Sequence, residues 1–411
     1  MRGLATLAIA AAFVVAAPSS AVAAPGMEVA VQDDSVFVAQ SYYKRDKALS
    51  QALQLHATRI RVNVLWSAVV GRSARKRKKP RRVPYDFSSY DGIVTAAQAR
   101  RIKVQMVLTG PAPAWATGNR RVGGYKPSAR HYAAFVKAVV AHFKGHVNRY
   151  SIWNEPNHVG WLTPKGSAPS IYRSLYKAGY SAAKSADRNA AVLFGELAPF
   201  ARNAKAATPP LRFLRGVVCV NGSYQGKGCA LRADGFAQHP YDFEHGPTYE
   251  YPGGDNVTIA TLGRLTAALD ALASRRLLVT PAGGALDVYL TEFGYMASGK
   301  YKVSDARRAE YLVKAFQIAQ ANPRVRQMLQ YLLVQPARKY RFFDTSLLSA
   351  SGKETGTFRA LVGWADAAAK NGQIVSPNQS TTPPPRPPPS NPPPSPPPAC
   401  TLPQPLCNPP G

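Results

Sequence analysis

Two glutamates stand at the ends of apolar, strand-like runs. Glu155 lies in Tyr150-Ser-Ile-Trp-Asn-Glu-Pro-Asn157, and Glu292 in Leu286-Asp-Val-Tyr-Leu-Thr-Glu-Phe-Gly-Tyr295. Two carboxylates on one face of a scaffold can cleave a glycosidic bond with retention. One gives and then takes back a proton, while the other attacks the anomeric carbon. The chain between them has room for three strand-helix units, which would make their strands the fourth and seventh of an eight-unit barrel.

The elements that must hold these residues follow from periodicity. From about residue 30 to 370, short β-rich runs alternate with longer stretches of helical spacing, the pattern of a parallel α/β fold. Strands are expected at 36–39, 58–66, 103–108, up to the Asn154-Glu155 pair, at 191–195, 235–239, 288–291 and 328–334. Helices are expected at 44–55, 88–101, 128–143 with Ser128 as N-cap, 169–185, 211–217, 259–273, 305–321 and 357–369. The fold class read from this is α/β, a single (β/α)8 TIM barrel at 25–375 with a disordered Pro-rich C-terminal tail. At 411 residues the chain has room for such a domain and extra segments.

In a barrel of this kind the working residues sit at the C-terminal ends of the strands. Asn154 and Glu155 follow strand four, and Asn154 is placed to hydrogen-bond a sugar 2-hydroxyl. A neighbouring carboxylate would raise the proton affinity of an acid at Glu155 by like-charge repulsion. Glu196 ends strand five and is a third carboxylate in the same layer, either a ligand for a sugar hydroxyl or a rival to Glu292. Sugar CH faces stack on aromatic rings, so Trp115 and Trp161 are candidate platforms; core packing explains each equally well. Trp153 is expected behind Glu155.

On these residues the chain resembles the clan A glycoside hydrolases, the retaining (β/α)8 superfamily with cellulase-like and β-xylosidase-like members. The resemblance covers roughly residues 30–370. It implies that Glu155 is the acid/base, Glu292 the nucleophile and Asn154 the Asn that precedes the acid/base. It further implies that Tyr241, in His239-Pro-Tyr241, hydrogen-bonds the nucleophile, and that Arg61 on strand two keeps the nucleophile ionised. Two positions depart from the pattern. Strand three runs into Thr109-Gly-Pro-Ala-Pro-Ala-Trp115 without a His, and strand eight into Val334-Gln-Pro-Ala-Arg-Lys-Tyr340 without a Trp. Gln335, Tyr340 or Phe343 would then have to floor the bound sugar.

The remaining features bear on compartment and partners. Arg2, an uncharged apolar run from Leu4 to Ala17, and Ala21-Val22-Ala23 read as a signal peptide over 1–24. The apolar run is too short for a comfortable span of about 20 residues. The expected location is therefore extracellular or wall-associated, without a transmembrane segment. In an oxidising compartment the simplest pairings of the four cysteines are Cys219-Cys229 and Cys400-Cys407. Their spacing suggests no metal site, and the expected mechanism needs no metal or cofactor. The net charge is +30, and eight of the eleven residues at 72–82 are Lys or Arg. Export argues against nucleic acid. An anionic glycan or cell-wall polymer suits the run, and a solvated loop explains it equally well. Residues 376–411 form a Pro-rich spacer ended by the second cysteine pair. The expected protein is a monomeric glycosidase acting on carbohydrate; a transglycosylase or a non-catalytic glycan-binding barrel are the alternatives.

Overall fold

The computed structural model describes residues 26–71, 83–338, 341 and 343–377. The expected signal peptide, the basic run at 72–82, Tyr340 and the tail with Cys400 and Cys407 lie outside the described residues.

Eight parallel strands close into a barrel. They are β1 (Glu28–Gln32), β2 (Ala57–Leu65), β3 (Lys103–Thr109), β4 (Arg149–Ile152), β5 (Ala191–Leu197), β6 (Gly235–Gln238), β7 (Val288–Leu290) and β8 (Val325–Tyr331). Each pairs with its sequence neighbours, and β1 closes on β8. The outer helices are α1 (Arg45–Gln54), α2 (Ser88–Gln98), α3 (Ala129–His142), α4 (Ala168–Ala186), α5 (Pro210–Val217), α6 (Leu262–Ser274), α7 (Asp305–Ala321) and α8 (Gly356–Lys370). Ser128 caps α3 by accepting from the His131 N–H. No described helix is long and apolar enough to cross a membrane.

Two strands differ from the periodicity reading. The expected strand at 36–39 is instead a helical turn at Asp34–Phe37, capped by Asp33, and β1 lies earlier at Glu28–Gln32. Its polar ends disguised it, because they face a polar barrel interior. Strand eight also starts earlier than expected and ends at Tyr331, where Leu332 takes a φ of 59°.

The interior explains the polar pattern. Successive side chains of a strand alternate in direction. On β2, Ile60, Val62 and Val64 pack outward in the apolar core, while Arg59 and Arg61 lie buried inside the barrel. At the lower end Arg59 binds Glu28 at 2.9 Å, and Arg149 binds Glu28 and, at 2.8 Å, Gln327. One turn of the pleat higher, Arg61 enters the layer that holds both candidate glutamates.

Candidate active site

Arg61 organises the upper layer. Its Nη1 donates to Glu292 Oε1 at 2.7 Å and also to Gln32 Oε1. Its Nη2 donates to Asn154 Oδ1 at 2.8 Å and to Glu196 Oε2 at 2.9 Å. Residues of β1, β2 and β5 and from just past β4 and β7 thus meet on one guanidinium. Periodicity does not single out Gln32, because it puts the first strand downstream of it. A polar residue ending an alternating run was the available signal.

The loop after β4 is held from two sides. Tyr132 on α3 donates its hydroxyl proton to the Leu108 carbonyl, and the Trp153 N–H donates to the Tyr132 oxygen at 3.2 Å. Asn157 staples this loop to the one after β5: Nδ2 donates to the carbonyls of Ala198 and Thr208, and Oδ1 accepts from the Ala198 N–H. The Glu155 N–H also donates to the Glu196 carbonyl at 2.9 Å. Trp153 (φ 67°) and Glu155 (φ 36°) are both left-handed, a local strain that this double clamp sustains.

Glu155, His239 and Glu292 converge at the C-terminal mouth, where one ligand-type atom from each lies within 4.8 Å of the others. His239 Nδ1 is 2.9 Å from Glu155 Oε1, and Nε2 is 2.8 Å from Glu196 Oε2. Such a triad could hold a cation by distance alone. Protonated on both ring nitrogens, as its raised pKa of about 9 favours, His239 has no lone pair for an ion. Tyr241 donates to Glu292 Oε2 at 3.4 Å, and Thr291 donates to Glu196 Oε2 at 2.6 Å.

The charges balance around two cations. Burial opposes the charge on His239, but Glu292 and the hydrogen bonds to Glu155 and Glu196 raise its pKa to about 9. Burial likewise opposes ionisation of Glu196, yet Arg61 and His239 hold it at about 2. Burial pushes Glu292 up; His239 and Arg61 act against this, while Glu155 and Glu196 add to it. Two cations face three carboxyls, so these five groups are neutral when the carboxyls hold one proton among them. Coulomb energy in a poorly polarisable interior favours that count.

Two candidate sugar contacts are buried: Trp161 is 3% exposed and Glu196 fully buried. Trp153 is fully buried too, as its expected place behind Glu155 requires. Trp153 donates its indole N–H to the Trp161 carbonyl at 3.2 Å. Trp115 is half-buried and packs edge-on against Trp66 and His131. Gln335 lies past β8 and donates to Asp344 at 3.2 Å. Asn154 keeps one group free: its Oδ1 accepts from Arg61, and its buried Nδ2 has no protein partner. Cys219 and Cys229 form a disulfide.

Comparison with solved structures finds the same architecture. A family 39 glycoside hydrolase from the gut symbiont Bacteroides cellulosilyticus WH2 superposes with a TM-score of 0.60 at 17% identity, over 83% of this chain and 64% of that one. An exo-β-1,4-mannosidase from Opitutaceae bacterium strain TAV5 gives 0.55 at 15% identity, over 87% and 63%. Xylanase 10B from Thermotoga petrophila RKU-1, in complex with xylobiose, gives 0.52 at 16%, over 83% and 94%. The chain thus spans somewhat less than two thirds of the first two. These likenesses establish the fold, a (β/α)8 barrel. No protein-family model matches the chain, and no curated protein matches it.

Proposed function

We infer that the protein is a retaining glycoside hydrolase with Glu292 as nucleophile and Glu155 as acid/base. The observation that carries this reading is the approach of the two carboxylates to within 4.8 Å at the mouth of the barrel. An inverting pair stands about 6.5–9.5 Å apart, to leave room for a water. In the first step a Glu292 oxygen bonds to the anomeric carbon as the glycosidic C–O bond breaks. The leaving oxygen takes the proton from Glu155. Water then gives a proton to Glu155 and its oxygen to the anomeric carbon, which frees Glu292. Arg61 and Tyr241 orient Glu292 through one oxygen each. The free amide N–H of Asn154 supplies a donor for a sugar hydroxyl. The neighbouring xylanase and mannosidase support an O-glycosidic bond in a poly- or oligosaccharide as the target.

The leader-like N-terminus and the disulfide support action outside the cytoplasm, with the Pro-rich tail as a spacer at the wall.

A panel of aryl glycosides and polysaccharides tests the reading, with the product anomer followed by NMR. The expected product keeps the substrate's anomeric configuration. Glu292→Ala should abolish turnover. Glu155→Ala should lose about 10²–10⁴-fold on poor leaving groups and little of the first step on very good ones. Full activity in Glu292→Ala would end the assignment. Glycan binding without turnover would leave a binding barrel, and sugar acceptors outcompeting water would make the enzyme a transglycosylase.

A further inference from the structure

Glu196 has no accessible surface and cannot meet a sugar hydroxyl. Three donors converge on its Oε2 instead: Arg61 at 2.9 Å, His239 at 2.8 Å and Thr291 at 2.6 Å. Alternation along β5 would aim it outward, in phase with Val192 and Phe194. A register shift in the β5–β6 pairing, between Gly195 and Leu197, turns it inward, with Glu196 at φ 51°. The strain is spent on burying a carboxylate against the far side of His239.

His239 spans the two carboxylates. A neutral imidazole carries one N–H and could satisfy only one of them; an imidazolium donates to both. The titratable groups facing the ring are Glu155 after β4, Glu196 on β5 and Glu292 after β7, while Arg61 on β2 and Tyr241 after β6 bind these carboxylates from other sides. Asp34 lies behind Arg61, and Tyr172 and Tyr331 border Glu196 and Glu292.

The geometry points to Glu196 as a positioning residue: by holding Nε2 of His239 it fixes the orientation and charge of the ring, which aims Nδ1–H at Glu155 Oε1. The other Glu155 oxygen is then left to carry the transferable proton. The effect on turnover rests on the glycosidase reading; the pairing itself does not.

Nitrogen-15 NMR of histidine-labelled wild-type protein tests the pairing without a substrate. His239 should show two N–H groups at pH 7 and lose a proton only in the alkaline range. A single N–H at pH 7 would overturn the proposal. In Glu196→Gln the His239 titration should fall by about one pH unit or more. The alkaline limb of kcat/KM should move down with it, because the ring that donates to Glu155 then loses its charge at lower pH. KM for an aryl glycoside should stay near the wild-type value. An unmoved titration, or a large rise in KM with an unmoved alkaline limb, would make Glu196 something else. If Glu196→Gln does not fold, the wild-type spectrum decides. If wild-type protein cleaves no glycoside, the functional reading fails while the NMR result still stands or falls on its own.

Discussion

Arg61 shows how much chemistry one buried side chain can organise. It is fully buried, yet it donates to two carboxylates and two amide oxygens. Removing one partner of such a cluster strands the others, which costs about 3–5 kcal/mol. Arg61→Met should therefore lower the stability to denaturant by that order. Arg61→Lys keeps the charge but loses the fork that reaches Glu292 and Glu196 together. It should fold and lose about 10²–10³-fold in kcat, with KM little changed. Wild-type kcat in Arg61→Lys would remove the guanidinium from the account of Glu292. Glu155 and Glu292 were legible as carboxylates at strand ends, whereas His239, Tyr241 and the mid-strand Arg61 were legible through the family resemblance. Glu196 was legible as a candidate, but its role was not, because burial and partner cannot be read from a position in a run.

At the scale of elements, the bulge in β5 sets the third carboxylate. Gly195 has φ 112°, and a Cβ there would overlap the Ala237 carbonyl oxygen on β6. Gly195→Ala should cost at least about 1–3 kcal/mol through backbone strain alone. It should also lower kcat, because the Glu155 N–H hangs on the Glu196 carbonyl next door. Gly145, at φ 82° with open space around it, makes a control: Gly145→Ala should lower stability modestly and leave kcat unchanged. Denaturant unfolding and steady-state kinetics on both variants check this, and equal losses of kcat would contradict it. The Asn157 staple is a second device of this kind, joining the loops after β4 and β5.

For the whole molecule, the buried ion layer predicts how stability follows pH. Glu196 is held at about 2, against an ordinary 4.5. Its contribution is complete above pH 4.5 and is lost as pH falls toward 2. His239 is raised to about 9 from 6.5, so its contribution is complete below pH 6.5 and is lost as pH rises through 9. Glu292 is raised as well, by burial first, so its share is lost as pH rises above 4.5. The midpoint of thermal unfolding should therefore fall as pH drops from 4.5 toward 2 and again as it rises through 9, and His239→Gln should flatten the alkaline side. A midpoint still rising at pH 9 would contradict this balance. The Cys219–Cys229 bridge closes a short loop, with a sequence separation of 10. Its reduction should cost about 2–3 kcal/mol, read from unfolding with and without reductant.

Sequence alone determined the barrel, because eight alternations of strand and helix admit few other closures. It also determined the two glutamates, since strand ends in such a barrel share one face. It misplaced β1, because Glu28 and Gln32 read as polar breaks until Arg59, Arg61 and Arg149 stand opposite them. Tertiary structure decided which polar residues turn inward, above all Glu196. A one-residue bulge reverses a side chain's direction, and no periodicity records it. It also decided the protonation of the site, because the charge on His239 depends on carboxylates from three other strand ends meeting one ring.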